Sequence, residues 1–128
     1  MTSRIAQWTF DVTDMERMAE FWSQALGYRP EMDNDGCATL HPPASSDGYA
    51  PTVWLQAVQT PKLAAKNRAH PDLVVADADV DAEVQRLITL GARHTDVGQT
   101  GEEPFVVLAD PEGNEFCVLR RKSRDKLR

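Results

Sequence analysis

Residues 7–27 read QWTFDVTDMERMAEFWSQALG and residues 70–91 read HPDLVVADADVDAEVQRLITLG, so one order of features occurs twice at an offset of about half the chain. Each copy opens on a short strand-like run ending at an aspartate, Asp14 or Asp77, a side chain suited to cap the free N–H groups of a helix start. Apolar residues then recur at spacings of three and four. They are Met15, Met18, Ala19, Trp22, Ala25 and Leu26 in the first copy, and Val80, Val84, Leu87, Ile88 and Leu90 in the second. Leu-Gly closes both, with Gly27 and Gly91 standing where a left-handed C-terminal residue is usual. Two equivalent amphipathic helices are predicted, each with one side to bury, and Trp22 belongs to that core side.

Strand candidates, not further helices, follow each predicted helix. In the first half they cover residues 29–32, 37–41 and 52–58; in the second they cover 94–97, 105–109 and 115–120. The last two face each other across a turn in FVVLADPEGNEFCVL, residues 105–119. There Asp110 can bond back onto the turn backbone, Pro111 presets a negative φ, and Gly113 and Asn114 tolerate a positive one. The Pro-, Ser- and Gly-rich residues 42–51 read as a long hairpin connection, and residues 61–69 as the linker between halves. The fold class expected is α+β, built from two tandem βαβββ modules at about 4–60 and 68–120 within a single domain, 1–122. A basic tail, residues 123–128, would follow as a solvated terminus.

Successive strand residues point to opposite faces, so where one face meets a helix the other stays open. Trp8, Phe10 and Val12 suit the helix side, leaving Gln7, Thr9 and Asp11 on the open face. Val53, Leu55 and Ala57 pack, leaving Trp54, Gln56 and Val58. In the second half Leu73 and Val75 pack opposite His70, Asp72 and Val74, and Phe116 and Val118 pack opposite Glu115, Cys117 and Leu119. Counting back from Asp14 and Asp77 makes Gln7 and His70 equivalent. The candidate ligand-binding residues are therefore Gln7, Thr9, Trp54, Gln56, His70, Asp72, Glu115 and Cys117, expected to line one sheet-walled cleft. No catalytic residue is assigned. A cysteine in an apolar strand behaves first as a small hydrophobe, and no neighbouring feature points to a depressed thiol pKa.

Composition bounds the function further. A chain of 128 residues, 41% hydrophobic and 27% charged, is ordinary for one soluble domain. Its formal charge of −6 disfavours nucleic acid as a partner, since phosphate binding relies on clustered Lys and Arg. No apolar run reaches the ~18 residues of a membrane span, and MTSRIAQWTFD lacks the apolar centre of a secretory signal, so a cytoplasmic location without membrane contact is expected. Cys37 and Cys117 match no zinc motif and require no disulfide. Phosphate-binding glycine loops and G-x-S-x-G elbows are absent from the sequence. Asp77, Asp79, Asp81 and Glu83 read as charge favoured by a helix N-terminus, not as a calcium loop.

The run DPEGNEFCVL, supported by D-x3-MAEFW-x3-LGY and by the half-to-half repeat, resembles the glyoxalase/bleomycin-resistance family, or vicinal oxygen chelate superfamily. The resemblance spans about residues 4–120. It implies two modules whose sheets curl around a shared cleft, and a homodimer. It also implies metal-binding positions, commonly two His and two Glu, that correspond here to Gln7, Gln56, His70 and Cys117. Only His70 and Cys117 among these are strong donors, and catalytic ions usually take about three protein ligands. The reading drawn from the resemblance is a small-molecule-binding protein, similar to bleomycin-binding members, with no cofactor expected. A divalent metal recruiting Asp72, Asp11 or Glu115 is the competing expectation, and with it a metal-dependent lyase (glyoxalase I-like), isomerase or dioxygenase. A non-catalytic interaction module stands as the third.

Overall fold

In the computed structural model, which describes residues 1–44, 48, 50–76 and 79–122, the chain divides into two compact units, Met1–Pro61 and Lys62–Arg128. The first holds β1 (Gln7–Val12), α1 (Met15–Leu26), β2 (Arg29–Met32), β3 (Ala38–His41) and β4 (Thr52–Ala57). The second holds β5 (Asp72–Val75), α2 (Val80–Leu90), β6 (Arg93–His94), β7 (Phe105–Ala109) and β8 (Glu115–Lys122). The expected βαβββ order thus occurs twice. Residues 123–128, Asp77 and part of the 42–51 connection lie outside the described residues.

Both sheets are mixed and share one topology, β1-β4-β3-β2 and β5-β8-β7-β6. The first strand of each module runs parallel to the last, because the helix carries the chain back over the sheet before the remaining strands follow as antiparallel neighbours. In the first unit α1 packs on β2, β3 and β4, and in the second α2 packs on β8.

Local chemistry accounts for the helices. The Asp14 carboxylate accepts the Arg17 N–H at 3.2 Å, and Gly27, at φ 70°, lets the chain leave α1 while the Tyr28 N–H bonds back to Ser23 O at 2.9 Å. Met18, Phe21 and Trp22 are almost wholly buried, each adding roughly 1.5–3 kcal/mol by leaving water. Trp22 meets Phe10 of β1 at 5.4 Å and stands edge-on to Phe21 at 5.1 Å. Phe21 widens the buried stripe beyond the three-and-four spacing.

The second helix starts later than expected. Asp79, not Asp77, caps it, accepting the Ala82 N–H at 3.1 Å. Aspartates on alternate positions all favour a helix start, and local composition does not choose between them. The two-residue displacement leaves strand parity intact, since the side-chain period of a strand is two. Boundaries move as well: β3 begins at Ala38, β6 is only Arg93–His94, and β8 runs on to Lys122. A register shift between Leu73 and Val75 breaks the β5–β8 ladder, so the second module is not an exact copy of the first.

The 110–114 turn forms as its residues dictate. Asp110 is fully buried, and its Oδ1 accepts the N–H groups of Glu112 and Asn114 at 3.0 and 2.9 Å. The Asn114 amide returns to Asp110 Oδ2 at 3.0 Å, and Gly113 takes φ 92°. Cys37 and Cys117 are buried free thiols. Among the described residues no helix is long and apolar enough to cross a membrane.

Candidate functional site

The open face of the second sheet carries a cavity of about 310 Å³. Register explains its lining: Asp72 of β5 and Val107 of β7 flank Cys117 of β8, and Phe105 lies beside Leu119. Paired residues point to the same side, so this row stands on the open face while Phe116 and Val118 pack underneath at 0% exposure. Val97, Phe105, Val107 and Leu119 make the apolar wall, and His70, Asp72, Glu115 and Cys117 the polar end, with Lys66 at the side.

The polar end contains a tight group. One ligating atom from each of His70, Asp72 and Cys117 lies within 4.8 Å of the others. His70 Nδ1 sits 3.2 Å from Asp72 Oδ1, an ion-pair distance, yet the directional geometry makes no hydrogen bond, and Nδ1 is a buried atom without a partner. Burial, together with the adjacent Asp72 carboxylate that repels a thiolate and accepts the thiol hydrogen, pushes the Cys117 thiol up to about 11. Cys117 is therefore protonated at neutral pH and is no nucleophile in this state.

Glu115 has a different task. Its Oε1 accepts the Asn67 N–H at 2.9 Å and its Oε2 meets Lys62 Nζ at 3.2 Å. Burial alone would raise its pKa, but the backbone N–H groups and Lys62 outweigh that and hold the carboxyl below its usual range. Lys62 Nζ also donates to the carbonyls of Leu63 and Ala65, and the Asn67 amide donates to Asn114 Oδ1 at 3.0 Å. The segment before β5 is thereby strapped to the 110–114 turn, and Lys66 within it reaches the cavity.

In the first module Gln7, Thr9, Trp54 and Gln56 share the open face of their own sheet. Thr9 pairs with Trp54, Asp11 with Gln56 and Gln7 with Thr52, whose hydroxyl donates to Gln7 Oε1 at 3.2 Å. Gln7, Thr9 and Gln56 are exposed and Trp54 half-buried, whereas Val53 and Leu55 of the opposite parity are buried.

Of the candidate residues, then, His70, Asp72, Glu115 and Cys117 line one cavity, and the other four line the open face of the first sheet. Phe105, Val107, Val97 and Lys66 were not singled out beforehand. FVVLA is apolar on both faces, so alternation does not reveal which side is open. Lys66 lies in the linker, where no periodicity speaks, and Val97, expected to end a strand over 94–97, lies beyond β6, which stops at His94.

A family model for a glyoxalase-like domain matches residues 7–119. No curated protein matches the sequence. Among solved structures, the chain is similar to the fosfomycin resistance protein FosX from Mesorhizobium loti, at 19% identity and TM-score 0.69 over 96% of this chain and 95% of that one. It is similar to a FosX point variant from Listeria monocytogenes, complexed with Mn(II) and 1S,2S-dihydroxypropylphosphonic acid, at 14% identity, TM-score 0.69, and 96% and 94% coverage. A glyoxalase/bleomycin resistance protein/dioxygenase family enzyme from Burkholderia phytofirmans PsJN matches at 18% identity, TM-score 0.67, and 91% and 97% coverage. At these identities the likeness is one of fold.

Proposed function

Since the chain belongs to the glyoxalase-like domain family, we propose that it binds a small molecule in the cavity on the open face of its second sheet, without the hard catalytic ion of metal-dependent members. The observation that carries the reading is the cavity itself. Its 310 Å³ lies at the lower end of ligand-pocket sizes, and an apolar wall with a few convergent polar groups is the usual make-up of such sites. Phe105, Val107 and Leu119 would take the apolar body of a ligand, and His70, Asp72 and Lys66 its polar groups. Gln7, Thr9, Trp54 and Gln56 are proposed to bind through the open face of their own module.

The family-type metal set does not fit these residues. Gln7 and Gln56 are neutral amides, the Cys117 thiol is protonated at neutral pH, and no carboxylate occupies the corresponding positions, whereas Mn(II)-like ions favour hard oxygen donors. Glu115 does not replace them, because both of its oxygens are engaged by Asn67 and Lys62.

A thermal-shift screen of aromatic and aldehyde-bearing compounds in chelator-treated buffer tests the proposal. A hit should raise the melting temperature in a concentration-dependent way, and Phe105→Ala should weaken it. Hits that act equally on Phe105→Ala, or stabilisation only with added Mn(II), would overturn the reading. A homodimer in the cytoplasm belongs to the same proposal, and a sedimentation mass staying at 14.3 kDa at micromolar concentration would refute the dimer.

A further inference from the structure

We propose that the ligand of the second-module cavity is a dipolar molecule of the apolar amino-acid class. Its ammonium group would lie against Asp72, its carboxylate against Lys66 and its side chain along Phe105 and Leu119. The inference rests on the small-molecule reading and adds to it the charge and shape of what is bound.

The charges around the cavity carry it. Lys62 and Glu115 meet at 3.2 Å with side chains 13% and 8% exposed, so they cancel each other and have little to offer a ligand. Lys66 and Asp72 remain on the lining, one of each sign. Among the described residues these two form no ion pair with each other. Lys66 Nζ reaches the Asn67 carbonyl at a long 3.4 Å, and the Asp72 side chain is 47% exposed beside a His70 Nδ1 that makes no hydrogen bond to it. Both charges nevertheless act at one point. Beyond burial, the main cause, Asp72 raises the Cys117 thiol and Lys66 lowers it, so the neutral sulfur is a floor between an anion and a cation. Simpler ligands meet a penalty here. An anion alone faces Asp72, a cation alone faces Lys66, and an uncharged molecule strips water from both without a countercharge. A zwitterion answers both.

Strand register supplies the shape. The open face of β8 runs from Glu115, beside the segment that carries Lys66, through Cys117, flanked by Asp72 and Val107, to Leu119, paired with Phe105. Two residues of strand span roughly 7 Å, so the Phe105–Leu119 pair stands that far along from the charged end. Phenylalanine and methionine cover a comparable length from charged head to side-chain tip, and a cavity of about 310 Å³ suits a ligand this small.

Isothermal titration of the full-length protein in chelator-treated buffer tests it with L-phenylalanine, L-methionine and two analogues of phenylalanine that each lack one charged group. Hydrocinnamate lacks the ammonium, and phenethylamine lacks the carboxylate. L-phenylalanine should bind once per chain, and each analogue roughly 10-fold or more weaker, the loss of one charge-assisted contact. Variants then assign the contacts. Lys66→Met should abolish the discrimination against phenethylamine alone, and Asp72→Asn the discrimination against hydrocinnamate alone. If Asp72→Asn does not fold, the analogue series on the parent protein and on Lys66→Met decides. An analogue that binds as tightly as L-phenylalanine would overturn the inference. So would discrimination unchanged in Lys66→Met, or no binding of either amino acid at millimolar concentration. Aromatic or aldehyde hits that depend on Phe105 would in each of those cases leave the small-molecule reading standing, and it falls only if they fail as well.

Discussion

Replacing Asp110 with alanine tests whether the 110–114 turn is held by one buried carboxylate. Asp110 is 0% exposed, and its oxygens accept two backbone N–H groups and the Asn114 amide at 2.9–3.0 Å. Hydrogen bonds to a charged acceptor contribute about 1.5–3 kcal/mol each. The donors on Glu112 and Asn114 are half-buried, so water rescues part of their loss after truncation, and about 1 kcal/mol for each of the three is the sounder figure. Asp110→Ala should therefore cost about 3 kcal/mol. Asp110→Asn keeps Oδ1 for the two backbone donors and gives up the charge and Oδ2, so its cost should be about half. With a urea m-value of about 1–3 kcal/mol/M, the alanine variant should lower the unfolding midpoint by about 1–3 M. A midpoint within about 0.3 M of the parent, or equal losses for Ala and Asn, would show that the backbone of the turn needs no carboxylate.

Glu115→Gln should cost about 1–2 kcal/mol near neutral pH by removing the charge that faces Lys62. The folded-state pKa of Glu115 is depressed, so the parent's advantage is present above 4.5 and fades as pH falls through the folded value; urea melts at pH 7 and pH 3 should show the gap closing. For Cys117, a folded pKa raised from 9.0 to about 11 favours the fold below 9 and loses that contribution as pH rises toward 11. In metal-free Cys37→Ser protein, iodoacetamide labelling at pH 7.5 should accordingly be far slower than for an unfolded control, and equal rates would contradict the buried neutral thiol. His70→Ala should lower stability by less than about 1 kcal/mol, since its Nδ1 makes no hydrogen bond; a loss of several kcal/mol would mark a structural role.

What the sequence made legible follows the range of the forces involved. Both helices, the 110–114 turn and the faces of the alternating strands depend on residues near in sequence, and periodicity reports them directly. By contrast, FVVLA is apolar on both faces, and Ala57, expected to pack, is exposed at the end of β4. Asp79 displaced Asp77 because several aspartates satisfy the same local rule, and the cavity faces survived since a shift of two keeps parity. The strap was not legible: Lys62 and Asn67 find Glu115 about fifty residues away, and no spacing announces an ion pair between a linker and a hairpin. Asp72 and Cys117 were expected on one cleft, but their direct pairing across β5 and β8 was not legible, since it depends on which strands are neighbours, a property of topology.

Lys62, Lys66 and Asn67 precede β5, where a count of strands alone would begin the second module at about residue 68. An excised fragment starting there would keep every strand and its helix while stripping Glu115 of its countercharge and the cavity of one side. The compact unit itself begins at Lys62, the residue that supplies that countercharge. For this half of the molecule, the joint between the repeats is also a wall of the cavity, so lengthening or swapping that joint would reshape the cavity where Lys66 lines it.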